Sequence, residues 1–70
     1  MTPVTAPMVG SVFQVLVEPG ASVSEEQELI VLESMKMDIP VASPKAGKVK
    51  EVKVKVGDSV QEGDVLLVLE

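Results

Sequence analysis

The chain has no cysteine, no histidine and no tryptophan or tyrosine, and Phe13 is its only aromatic residue. Without cysteine there is no disulfide framework, no thiolate metal site and no thiol nucleophile. Without histidine the side chain that titrates nearest neutrality is missing. Arginine is absent too, which removes the planar fork that clamps carboxylates and phosphates. No apolar run approaches the length of a membrane span. Residues Met1 to Ala6 show no basic stretch followed by an apolar one, so they do not read as a secretory signal. These absences lead us to expect a cytoplasmic protein with no membrane partner, no metal site and no catalytic constellation of its own.

What is present is a small apolar chain rich in valine. Its 70 residues are 46% hydrophobic, enough for one core but not for an enclosed active site as well. Valine is stiff at χ1 and suits pleated sheet. The net charge of −5 argues against nucleic acid, whose binders show a basic face. The charge is uneven. Residues 1–40 hold six acids and only Lys36 as a base, whereas Lys45, Lys48, Lys50, Lys53 and Lys55 crowd one later stretch. That stretch reads as a solvated strand face, with a weak docking patch as the alternative.

The chain also repeats itself. Residues 6–33 align without a gap on residues 43–70, with 13 of 28 positions identical, among them Pro7/Pro44, Gly10/Gly47, Val12/Val49, Gly20/Gly57 and Leu29/Leu66. Two gapless halves of this quality share one local structure and should pack as a pseudo-twofold pair. From Glu51 to Val56 polar and apolar residues alternate strictly, as in a half-buried strand. The alternation slips between Val49 and Val52, which predicts a bulge. The first half carries the same strand over Ser11–Val17. Leu29–Glu33 and Val65–Glu70 are nearly continuous apolar runs, as for strands covered on both faces. The expectation is an all-β fold of about eight short strands, two intertwined halves forming a flattened barrel-sandwich. Shared positions predict the core: Val12, Val15, Val17, Val23, Leu29 and Val31, with Val49, Val52, Val54, Val60, Leu66 and Val68 as their mates.

One internal segment, residues 34–42, has no partner in the repeat as aligned, and function is best sought there. Met37–Val41 can pair back on Leu29–Glu33, making a hairpin with its tip near Met35-Lys36. Two-residue hairpin turns favour Asn-Gly or Asp-Gly, because both positions need positive φ. A Met-Lys tip breaks that rule, and such breaks are expected at functional sites. The alternative is plain: lysines on hairpin tips are ordinary, and methionines beside them often belong to a core. The twofold relation also places the chain ends away from Lys36.

These residues carry a family resemblance. Glu33-Ser34-Met35-Lys36-Met37 resembles the attachment signature of biotinyl domains, the biotin carboxyl carrier branch of the biotin/lipoyl attachment family. Ala6-Pro7-Met8-Val9-Gly10 and Ser43-Pro44-Lys45-Ala46-Gly47 resemble its repeated openings, and Val56-Gly57-Asp58-Ser59-Val60 its Gly-Asp-x-Val turn. The likeness covers about residues 4–70, and the whole of residues 1–70 is expected to be a single domain. It departs in detail, with Ala21 where Asp58 stands in the other half, Glu26 where Gly63 stands, and Ser34 for a commoner alanine. No extra hairpin fits between Val17 and Leu29, so the chain resembles the thumbless members, with the hammerhead form of the barrel-sandwich.

The resemblance implies a carrier. A biotin protein ligase would join biotin covalently to Lys36, with Met35 and Met37 as flanking recognition residues. A biotin carboxylase would load carboxylate and a carboxyltransferase would pass it on. The domain would be monomeric and catalyse nothing. An ordinary lysine amine is protonated near neutral pH and needs activation by the modifying enzyme. A lipoyl domain is the nearest rival, but its usual signature is Asp-Lys-Ala. A barrel-sandwich module used only for protein contacts is the second, and it has no need of Met-Lys-Met.

Overall fold

The computed structural model describes residues 1–70 and contains eight strands and no helix. They are β1 (Thr2–Thr5), β2 (Gly10–Val15), β3 (Ser22–Val23), β4 (Glu28–Ser34), β5 (Met37–Ala42), β6 (Gly47–Val52), β7 (Ser59–Val60) and β8 (Val65–Leu69). They form two four-stranded antiparallel sheets, β1-β8-β6-β3 and β5-β4-β2-β7. The all-β flattened sandwich is therefore observed. Between β2 and β4 only the two-residue β3 intervenes, so there is no protruding hairpin.

The two halves are interlocked through their turns. The Gly20 N–H donates to the Val49 carbonyl at 2.8 Å, and its symmetry mate Gly57 donates to Val12 at 2.9 Å. The Ser43 N–H donates to Gln27 at 2.8 Å, and Ala6, its mate, to Asp64 at 2.9 Å. Each half thus closes backbone groups that the other would leave open, which ties their stability together.

The twofold relation reaches further than the sequence alignment. Strand β1 pairs with β8 through Thr2↔Leu69, Pro3↔Val68, Val4↔Leu67 and Thr5↔Val65. Strand β5 pairs with β4 through Ile39↔Leu32, Pro40↔Val31, Val41↔Ile30 and Ala42↔Glu28. These registers match at the same offset of 37, so residues 39–42 correspond to residues 2–5. Only Ser34–Asp38 of the segment read as unpaired lacks a counterpart of this kind. Pro3 and Pro40 fall mid-strand, which works because β1 and β5 are sheet edges.

Two register shifts fall where the alternation slips, between Val49 and Glu51 in β6 and at its mate between Val12 and Gln14 in β2; two more, between Val4 and Thr5 and between Glu28 and Ile30, carry no such signal. The strands end sooner than the alternation suggests, at Val15 and Val52. Beyond them, single bonds continue from Leu16 to Leu29 at 2.9 Å and from Lys53 to Leu66 at 2.8 Å. The core differs in part from the list of shared positions. Val12, Val23, Leu29, Val49, Val60 and Leu66 are buried in it. Val15 and Val52, the last paired residues of their strands, and Val17 and Val54, beyond the strand ends, lie only half-buried against it. Val31 is buried but outside the core cluster, and Val68 is partly exposed, since both point to the outer face of their sheets. Ile30, Leu32, Leu67 and Leu69 supply the bulk instead, each at 0% exposure.

Candidate functional site

Strands β4 and β5 form a two-residue hairpin closed by Ser34↔Met37. Its central residues are Met35 at φ +53° and Lys36 at φ +65°. Positive φ at both positions is what such a turn demands, and side chains with a Cβ resist it at a cost of about 1–3 kcal/mol each. The strain is held by the base below. Glu33↔Asp38 and Leu32↔Ile39 continue the ladder, and β2 flanks the other side of β4 through Ser11↔Glu33 and Val12↔Leu32.

The tip itself is bare. Met35 is 87% exposed and Met37 is 61% exposed. Neither belongs to the core, which removes the bland explanation for two methionines beside a lysine. Large flexible thioethers left in water suit contact with several partners. Lys36 is exposed, and the molecule's one ion pair, Lys53–Glu51 at 3.3 Å, lies elsewhere. Neither of the two surface hollows is lined by Met35, Lys36 or Met37. No three acidic side chains converge on a metal site. The arrangement offers an exposed primary amine on a tight turn, with the carboxylates of Glu33 and Asp38 opposite each other at its foot.

The chain ends sit at the symmetry-related place. Thr2 pairs with Leu69, as Ile39 pairs with Leu32 at the foot of the tip. The twofold exchange therefore keeps the termini clear of Lys36.

Gly10 is a site residue that pattern reading passes over. A Cβ on Gly10 would lie 2.8 Å from the Glu33 carbonyl oxygen and 3.4 Å from the Ser34 Cβ. Its mate Gly47 has room, with the Glu70 carbonyl oxygen 3.6 Å away. Ser34 is itself buried, so a small residue is needed there as well. The two halves carry the same glycine, and only the packed fold shows that one of them seats the hairpin. Gly10→Ala should destabilise the domain by about 1–3 kcal/mol, the usual cost of overpacking. Gly47→Ala should cost clearly less. Urea unfolding of the two variants side by side checks this, and equal losses would contradict the close-approach argument.

Comparison with known proteins agrees with the geometry. The profile of the biotin/lipoyl family, described as biotin-requiring enzyme, matches residues 2–69. The urea carboxylase of Kluyveromyces lactis superposes with a TM-score of 0.91 at 28% identity, over 97% of this chain and 6% of that one. A single-chain, multi-domain long-chain acyl-CoA carboxylase gives a TM-score of 0.87 at 38% identity, over 93% of this chain and 7% of that one. This chain therefore spans a small fraction of the length of those two enzymes. The lipoyl domain of the 2-oxoglutarate dehydrogenase complex from Azotobacter vinelandii shares the fold, with a TM-score of 0.83 at 24% identity over 100% of this chain and 96% of that one. A matched profile over nearly the whole chain, on a fold with one bare lysine at a strained hairpin tip, identifies the protein as a member of the biotin/lipoyl attachment family.

Proposed function

We propose that this domain is a biotin carboxyl carrier, with biotin held as an amide on Lys36. The observation that carries the reading is the tip itself: a lysine without an ion-pair partner at φ +65°, between two exposed methionines. The residues fit the group. An amine that must be acylated by an incoming enzyme has to be reachable from outside, and Lys36 is exposed, as are Met35 and Met37 on either side of it. Met35 and Met37 are the recognition residues for a biotin protein ligase. Met-Lys-Met, rather than the Asp-Lys-Ala usual in lipoyl domains, favours biotin over lipoate.

When attached, biotin supplies the carboxyl-carrying chemistry and the protein supplies presentation. The chain's own work is mechanical. The ladder of β4 and β5 anchors the foot of the hairpin, and the lysine stem provides reach. A tethered cofactor meets a biotin carboxylase and then a carboxyltransferase at high effective concentration. The two carboxylases above make a carboxylase setting the natural one, with the domain as a non-catalytic part working in the cytoplasm.

The test sets two modifying enzymes side by side. The protein is incubated with biotin, ATP and a biotin protein ligase, and separately with lipoate, ATP and a lipoate ligase. The intact mass should rise by one biotinyl group in the first and stay unchanged in the second. The opposite pattern would move the protein to the acyl-transfer complexes.

A further inference from the structure

The internal twofold supplies a control that most domains lack. Each outer sheet face has a counterpart built from equivalent residues, so a difference between the two faces is not required by the fold. In β2 the outward residues include Phe13, Gln14 and, just beyond the strand, Leu16. Their mates at an offset of 37 are Lys50, Glu51 and Lys53. Phe13 and Leu16 are each 48% exposed. The lysine version of this face is stable in the same molecule, so the half-exposed aromatic and leucine are not there to hold the sandwich together.

The apolar residues continue across the sheet. Gln14 pairs with Val31, and Val31 with Pro40. Val31 lies outside the core cluster while Ile30 and Leu32 lie within it, so Val31 faces outward on the same side as Phe13. A stripe therefore runs from Leu16 and Phe13 past the buried Val31 to the exposed Pro40; Val31 and Pro40 recur as Val68 and Pro3 on the other face, so Phe13 and Leu16 are what set this one apart. The stripe lies on the sheet that bears Lys36.

The border of the stripe is acidic. Strands β2, β4, β5 and β7 hold Glu28, Glu33 and Asp38 and no lysine, whereas the strands of the other sheet hold Lys48, Lys50 and Glu51. Glu33 and Asp38 stand directly opposite each other at the foot of the tip. Like charges in that position are destabilising, and no cation of this chain pairs with either. An approaching cationic surface would relieve them. A second copy would not, because a symmetric pairing of this face brings its own acids together.

We infer that the outer face of β2, β4 and β5 docks a biotin carboxylase whose surface offers an apolar pocket bordered by lysines and arginines. The inference rests on the carrier reading above. Half-exposed residues in a narrow stripe suit a transient encounter rather than a permanent interface, as a carrier that must leave requires.

The test uses four biotinylated proteins: wild type, Phe13→Lys/Leu16→Lys, Phe13→Gln/Leu16→Gln, and Lys50→Gln/Lys53→Gln on the opposite sheet. Each is given to a biotin carboxylase with ATP and bicarbonate, and KM for the carrier is measured. Intact mass beforehand shows that each chain took biotin. A wild type that takes none means that the carrier reading fails, and the docking inference falls with it. Both stripe variants should raise KM by about tenfold or more with kcat unchanged, as loss of an interface anchor does. The opposite-sheet variant should stay within about twofold of wild type. Stripe variants that take biotin, keep the wild-type melting temperature and show wild-type KM would overturn the inference. So would sedimentation showing that wild type self-associates through this face and the stripe variants do not.

Discussion

Lys36→Arg should leave the fold intact and abolish attachment completely. Wild type treated with ligase, biotin and ATP gains one biotinyl group, and the variant keeps its starting mass. Arginine keeps the charge and much of the stem, but a guanidinium is not deprotonated in proteins and is no acyl acceptor. Stability should barely change. Lys36 sits at φ +65° on an exposed tip, makes no ion pair, and arginine meets the same backbone restriction. Exposed substitutions of this kind stay within about 0.5 kcal/mol. Thermal unfolding and intact mass, measured on the same sample, separate the two effects. Biotin on the variant would mean that another of the six lysines is the acceptor.

The second large effect is on stability. Leu66→Ala should cost about 2–5 kcal/mol, the lost transfer energy plus the cavity. Leu66 has no exposure and lies on β8, the strand between β1 and β6. A domain of this length has a total stability of roughly 4–10 kcal/mol, so the loss is a large part of it. Each kcal/mol lowers Tm by about 4–8 °C at this size. A fall of tens of degrees, or a largely unfolded chain at room temperature, is therefore expected. Because the turns of each half bond to the strands of the other, the loss should appear as one cooperative transition. Circular dichroism during heating reads this. A Tm within a few degrees of wild type would contradict the packing described. Leu29→Ala, at the equivalent position of β4, should behave alike.

Much of this was legible in the residues, for identifiable reasons. The repeat showed that two halves share a shape, because turn glycines and inward valines recur at a fixed offset. The slip in alternation located the bulge of β6 and, through the repeat, that of β2, since a strand's side-chain period is 2 and one extra residue must break it. The tip was legible because Met35-Lys36 violates the turn preference it has to satisfy. Other features needed the fold. Ile30 and Leu67 are symmetry mates of different identity, so matching letters left them out of the core. The pairing of residues 2–5 with β8 rests on Pro3/Pro40 and Val4/Val41, too short a match to be seen without the ladders. Gly10 looks like Gly47 on paper, and only the approach of the Glu33 carbonyl separates them. The strands ended early because Val15 and Val52 are the last residues with a paired partner, and alternation cannot report where a partner stops.

As a biotin carrier, the domain must hold its cofactor on one lysine among six, and the proposed one is Lys36. The most direct test is fragmentation mass spectrometry of wild-type protein after treatment with ligase, biotin and ATP. A single biotinyl increment is expected on the fragment containing Met35-Lys36-Met37, with Lys45, Lys48, Lys50, Lys53 and Lys55 unmodified. An increment on any of those five, or none on a folded chain, would contradict it.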